Sequence, residues 1–215
     1  MLAHRLLKNH AGILLIGDYT SLAWLNEAVH DINTRSPLVT DKEGAFLGLA
    51  FDARKAYERQ REIIRPPAHL KEIGVRYGVK ILWPVILLQA RLLRLALAFV
   101  DHSREHQAIT YALEAVIEKG LREDFPGSAD AIIARWQRID AAQPNVFAKL
   151  DSRGAIFSSW TKSQRQKLML PLLESFDPLF DTLYEFDVRH GQRTATLSPA
   201  EIVRWENTQW PDPKW

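Results

Sequence analysis

The residues of this chain that come nearest to a reactive set are His102, Glu105 and His106, in the run His102-Ser103-Arg104-Glu105-His106. Histidines four apart lie on one face of a helix, as two ligands of a zinc ion must, and a carboxylate beside them can take a proton from bound water. On that reading the chain is a metal-dependent hydrolase, with a third ligand drawn from Glu174, Glu185 or His190. Ser103 argues otherwise. It is an N-cap by type, so His102 falls before the helix and His106 in its first turn, which breaks the shared face. The expectation is a solvated helix junction with no catalytic residues, no metal and no cofactor. Glu27 and His30 form an E-x-x-H pair of the kind used in di-iron bundles, but such a site needs a second pair and two more glutamates. The sequence has no second pair, so this one is expected on an exposed helical turn.

Arg91 and Arg94 carry a different signal. They sit three apart in a run that is apolar around most of a helical circumference, and a buried guanidinium needs a partner or a route to the surface. With Asp101 and Glu105 they make a polar stripe. Asp18 and Asp52, each read as following a short strand, are the expected partners. Arg91, Arg94, Asp18 and Asp52 would then form either an ion-pair cluster or a ligand pocket at the strand ends. If the protein has a pocket, it is expected beside the two arginines. A third set, Arg54, Lys55, Arg59 and Arg61, joined by Arg65 and Tyr57, makes a helix over 53–65 that could meet phosphates and stack on bases. Glu58 and Glu62 offset it, and charged helix faces are usually solvated and tied by pairs three and four apart. Nucleic acid is therefore not the expected partner.

Composition narrows the classes further. The 215 residues hold 28 Lys and Arg against 26 Asp and Glu, a net charge of +2, so no molecule-wide field draws in polyanions. The absence of cysteine removes disulfide frameworks, zinc fingers and thiol nucleophiles, and fits a reducing cytoplasm. The start, MLAHRLLKNHAG, lacks the apolar core of a signal peptide, so no secretion is expected. A glycine-rich phosphate loop, a G-x-S-x-G elbow and a dinucleotide fingerprint are all absent from the sequence.

The elements that must position these side chains centre on residues 72–100. Residues 72–82 alternate apolar and polar, the period of a half-buried strand. Pro84 then opens a nearly continuous apolar helix, at the location where a missing N–H costs nothing. Residues 81–100 are long enough to span a bilayer. Twelve Leu, Ile, Val and Phe residues there contribute about −4 to −7 kcal/mol, whereas Arg91 and Arg94 cost about +5 to +7, so a core helix and no membrane partner are expected.

Around that stretch, residues 13–16 and 45–51 read as short buried strands, and Thr20 or Ser21 as the cap of a helix over 20–32. Asp52 is the cap candidate for the basic helix. Ser103 and Ser128 open two more helices, the second closed by Pro144, and residues 151–154 read as a turn. Thr161 and Gln164 form a capping box; Pro171 kinks that helix, Asp177-Pro178 restarts it and Gly191 ends it. Ser198-Pro199 starts a last short helix. The tail 208–215 is extended, its two tryptophans either docked on the domain or held out for a partner. The fold class is α+β: about three strands and about six helices in one domain over 1–215, comprising a strand-rich part (11–83), a helical part (84–207) and the tail.

Three segments, GILLIGDYTSLAWLNEAVHDI, FLGLAFDARKAYERQRE and YGVKILWPVILL, resemble an uncharacterised bacterial family, a domain of unknown function, over about residues 11–90. The likeness rests on Gly17-Asp18-Tyr19, Asp52-Ala53-Arg54 and Leu82-Trp83-Pro84. It implies a bacterial, cytoplasmic protein and brings no activity with it. With no complete catalytic set and an aromatic tail, the expected function is non-enzymatic. The protein would act through contacts with a protein partner or with itself, as an accessory or defence-system factor.

Overall fold

Alternating apolar residues build the core strand, and a proline turns the chain from that strand into the central helix. A computed structural model of the chain describes residues 1–143, 145–191, 197–213 and 215. Its sheet has four antiparallel strands in the order β1-β2-β4-β3, where β1 is Ala3–Leu6, β2 Gly12–Gly17, β3 Glu62–Ile64 and β4 Arg76–Leu82. The central pair sets Ile13 opposite Ile81 and Leu15 opposite Val79. One face of the sheet is thus aliphatic and packs on helices α1 (Tyr19–Arg35), α2 (Gly48–Tyr57) and α4 (Arg104–Asp124).

α3 (Trp83–Leu97) follows β4 without a loop, with Pro84 in its first turn, and buries eleven of its fifteen residues. It touches α1, α4, α5 (Ala129–Arg138) and α6 (Val146–Ser159), the arrangement that an all-round apolar helix requires. α7 (Lys162–Glu174), α8 (Phe180–Arg189) and α9 (Pro199–Val203) complete the helical part. No helix among the described residues is long and apolar enough to cross a membrane.

Local chemistry explains the caps. Ser103 accepts a hydrogen bond from the His106 N–H, Thr161 and Gln164 form the reciprocal box, and Ser198 accepts from the Glu201 N–H. α1 is capped by Asp18 rather than by Thr20 or Ser21; the Asp18 carboxylate accepts the Ser21 N–H at 2.8 Å.

Four expectations about elements are corrected. Residues 45–51 form a turn running into α2, not a strand, because their apolar side chains serve the inner face of a helix: Phe46, Leu49, Ala50 and Ala53 are buried. α2 therefore ends at Tyr57, and part of the stretch read as helix is the edge strand β3. β4 begins at Arg76, not Glu72, since residues 71–73 form a 3-10 turn and Gly74 has φ +75°, which breaks any extended run. Residues 151–154, read as a turn, lie inside α6. The glycine there has a packing role: a Cβ on Gly154 would stand 1.9 Å from Trp210. The expected stop at Pro144 lies outside the described residues.

Candidate functional site

Arg91 and Arg94 project from α3 toward α4 and α5. Arg91 Nε donates to the Ile139 carbonyl at 3.0 Å, just past the end of α5. Arg94 Nη1 lies 3.7 Å from Glu114 Oε2 on α4, and its guanidinium sits 4.1 Å from the centre of the Tyr111 ring. Gln137 Nε2 donates to Glu118 Oε1 at 3.1 Å. These side chains and Trp136 line a cavity of about 210 Å³. Burial holds the Arg91 pKa below its ordinary value. Burial also raises the Glu114 carboxyl, against the opposing pull of Arg94 and Arg91.

A pocket stands beside the two arginines, although larger ones of about 320 and 310 Å³ lie elsewhere, and the expected cluster with Asp18 and Asp52 does not form. Asp18 is held by the α1 N-terminus and the Met1 amine, and Asp52, inside α2, lies 3.8 Å from Arg61. The facing acid is Glu114, because α4 runs alongside α3. With two cations and two carboxylates in its wall, the cavity is a balanced ionic seam between three helices.

The His102–His106 motif does not assemble a metal face. His102 precedes the cap and its Nδ1 is 2.9 Å from the Val100 carbonyl, while His106 Nδ1 lies 3.5 Å from Asp31, itself paired with Arg35. Among the described residues no three His, Asp or Glu side chains converge to hold a metal. Glu27 and His30 are exposed on α1.

The basic stretch splits across two elements. Arg54 and Lys55 lie on α2 and flank the exposed Phe51 ring at 5.7 and 5.3 Å. Arg59, with φ +64°, and Arg61 lie in the turn beyond. Arg54 lies 3.9 Å from Glu58, and Lys55 donates to Gln60 at 2.6 Å. The tail docks on the domain: Trp210 packs over Gly154 and its Nε1 donates to Asp151 at 2.7 Å. Trp215 lies against Lys80, and Asn9 donates to its carbonyl at 3.1 Å.

Two further clusters were not foreseen. At the Trp83-Pro84 junction the indole Nε1 donates to Asp124 Oδ2 at 2.8 Å, and Asp124 Oδ1 is hydrogen-bonded to His10 Nδ1 at 2.8 Å. One buried carboxylate thereby ties the chain before β2, the start of α3 and the end of α4. In the helical part, the arginines Arg153 and Arg165 are buried. Arg165, on α7, donates to the Phe157 and Ser158 carbonyls at 3.1 and 3.2 Å, at the end of α6. Arg153, on α6, donates to the Ser175 carbonyl at 2.9 Å, at the end of α7. Burial pulls the Arg153 pKa down to about 10, with Asp181 and Glu206 opposing.

A family model described as a domain of unknown function, DUF6904, matches residues 3–215. The chain belongs to that family. The match extends well past the segments 11–90 that carried the resemblance and takes in the helical part and the docked tail. No curated protein and no solved structure matches the chain.

Proposed function

We propose that the protein acts by protein contact rather than catalysis, and that the chain it meets is a second copy of itself, through α8. The observation that carries this is the exposure of Leu179, Leu183 and Phe186 at 61%, 47% and 54%, on a helix where Phe180 is the residue that is buried. Their four-three spacing is that of a helix seam packed against another helix, and His190, stacked on Phe186 at 4.1 Å, extends it by one position. The seam's flanks differ, with Asp187 on one side and Arg189, paired with Glu185 at 3.0 Å, on the other. Two copies lying parallel about a two-fold axis that runs along the helices thus bring unlike flanks together.

A helix of this length covers less than the roughly 1,200 Å² of a stable interface, so association in the micromolar range is expected. The proposal includes a bacterial, cytoplasmic setting, supported by the lack of cysteine in the sequence. Light scattering across a concentration series tests the contact. The 24.7 kDa chain should approach twice its mass, and Leu183→Glu with Phe186→Glu should keep it monomeric with an unchanged circular dichroism spectrum. A wild-type chain that stays monomeric at high concentration would overturn the proposal.

A further inference from the structure

We propose that the outer face of the sheet holds a binding site for a small phosphorylated ligand, built from Arg5, Arg65 and Arg76. The register places them. Ala3 pairs with Ile16 and Arg76 with Ile64, so Arg5, Ile16, Ile64 and Arg76 lie on the face opposite the aliphatic core. The chain leaving β3 folds back over this face through Pro66 and Pro67 to Ile73, and Gly74 at φ +75° turns it into β4. A cavity of about 240 Å³ remains beneath, walled by those apolar residues, by the three arginines and by His4, whose Nε2 lies 3.0 Å from Glu123.

Charge balance separates this cavity from the one beside Arg91. There, Glu114 lies 3.7 Å from Arg94 and Glu118 also lines the wall; here no carboxylate lines the wall. The nearby acids are engaged, Asp18 with the Met1 amine and Glu62 with Lys80 at 3.4 Å. Among the described residues the side chains of Arg5 and Arg65 make no hydrogen bond or ion pair, and Arg76 spends one side-chain N–H on the Met1 carbonyl.

Three guanidinium groups bring donors and no acceptors, so the complementary group is a multiply charged oxyanion with several acceptor oxygens. A phosphoryl group supplies that better than a carboxylate, which has two oxygens to share among three arginines. The volume falls below the usual range for larger ligands and suits a compact one.

Isothermal titration of the full chain with pyrophosphate at low salt tests the site. One equivalent should bind, and affinity should fall as salt rises. Arg5→Ala and Arg65→Ala, both at exposed positions, should each weaken binding about tenfold with an unchanged circular dichroism spectrum. Arg54→Ala, on the separate basic helix, should leave it unchanged. Absence of pyrophosphate binding would overturn the proposal, as would equal affinity in the Arg5→Ala, Arg65→Ala double variant. Retention of a single-stranded oligonucleotide that pyrophosphate does not displace would also overturn it, in favour of a nucleic-acid surface.

Discussion

Asp18 shows how a single carboxylate can be tuned by its place in the chain. Burial alone would raise its pKa, but hydrogen bonds from the Met1 amine and from the Ser21 N–H and hydroxyl outweigh that and bring it down to about 2, from an ordinary 3.8. A carboxyl depressed in the fold contributes stability that is complete above its ordinary value and is lost as pH falls through the folded one. Unfolding free energy should therefore decline between about pH 4 and pH 2, and Asp18→Asn should flatten that limb of the curve. At neutral pH, Asp18→Ala should cost about 1 kcal/mol as a lost N-cap, measured by urea denaturation. Gly154 is the second instructive residue. Alanine favours a helix over glycine by about 1 kcal/mol, yet here it collides with the Trp210 ring, so Gly154→Ala should destabilise by roughly 1 to 3 kcal/mol. The sign should reverse in a Trp210→Ala background, where the same substitution gains about 1 kcal/mol. If both backgrounds respond alike, tail docking is not what selects the glycine. The contact also explains why residues 151–154 read as a turn: sequence shows a glycine but not the distant tryptophan that demands one.

At the scale of elements, what could be read from sequence followed from local rules. The strand-to-helix junction at Trp83-Pro84 and the Ser103, Thr161 and Ser198 caps all rest on residues close in the chain. Partners contributed by another element were not legible. The acids for Arg94 and Arg91 come from α4, and edge strands β1 and β3 span only four and three residues, too short to show a period. The paired arginines of α6 and α7 belong to the same class. Each guanidinium occupies the C-terminal end of the other helix, where unpaired carbonyls and the helix dipole both favour a cation. Arg165→Met should remove the side-chain donor from those buried carbonyls, of which Phe157 keeps the Trp160 N–H, and cost about 3 kcal/mol by denaturant unfolding. A substitution on an exposed face such as Lys167→Met should stay within about 0.5 kcal/mol. A loss below about 1 kcal/mol for Arg165→Met would mean that water or neighbouring N–H groups take over the carbonyls.

For the whole molecule, the exposed seam on α8 makes stability a function of concentration if two copies pair through it. A partner that binds the folded chain and not the unfolded one raises apparent stability by an amount that grows with its own concentration over the dissociation constant, reaching about 2.7 kcal/mol at a hundredfold excess. The midpoint of thermal unfolding should therefore climb as the protein is concentrated through the micromolar range. Phe186→Glu should abolish the climb. Because Phe186 is exposed within one copy, the variant should match the dilute wild type to within about 0.5 kcal/mol. Those two readings separate a contact surface from a fold requirement: a residue needed inside the monomer would lower the midpoint at every concentration, whereas a seam residue lowers it only where dimers form. A concentration-independent midpoint in the wild type would remove self-association as the use of this face. The apolar stripe would then have to serve a different protein chain.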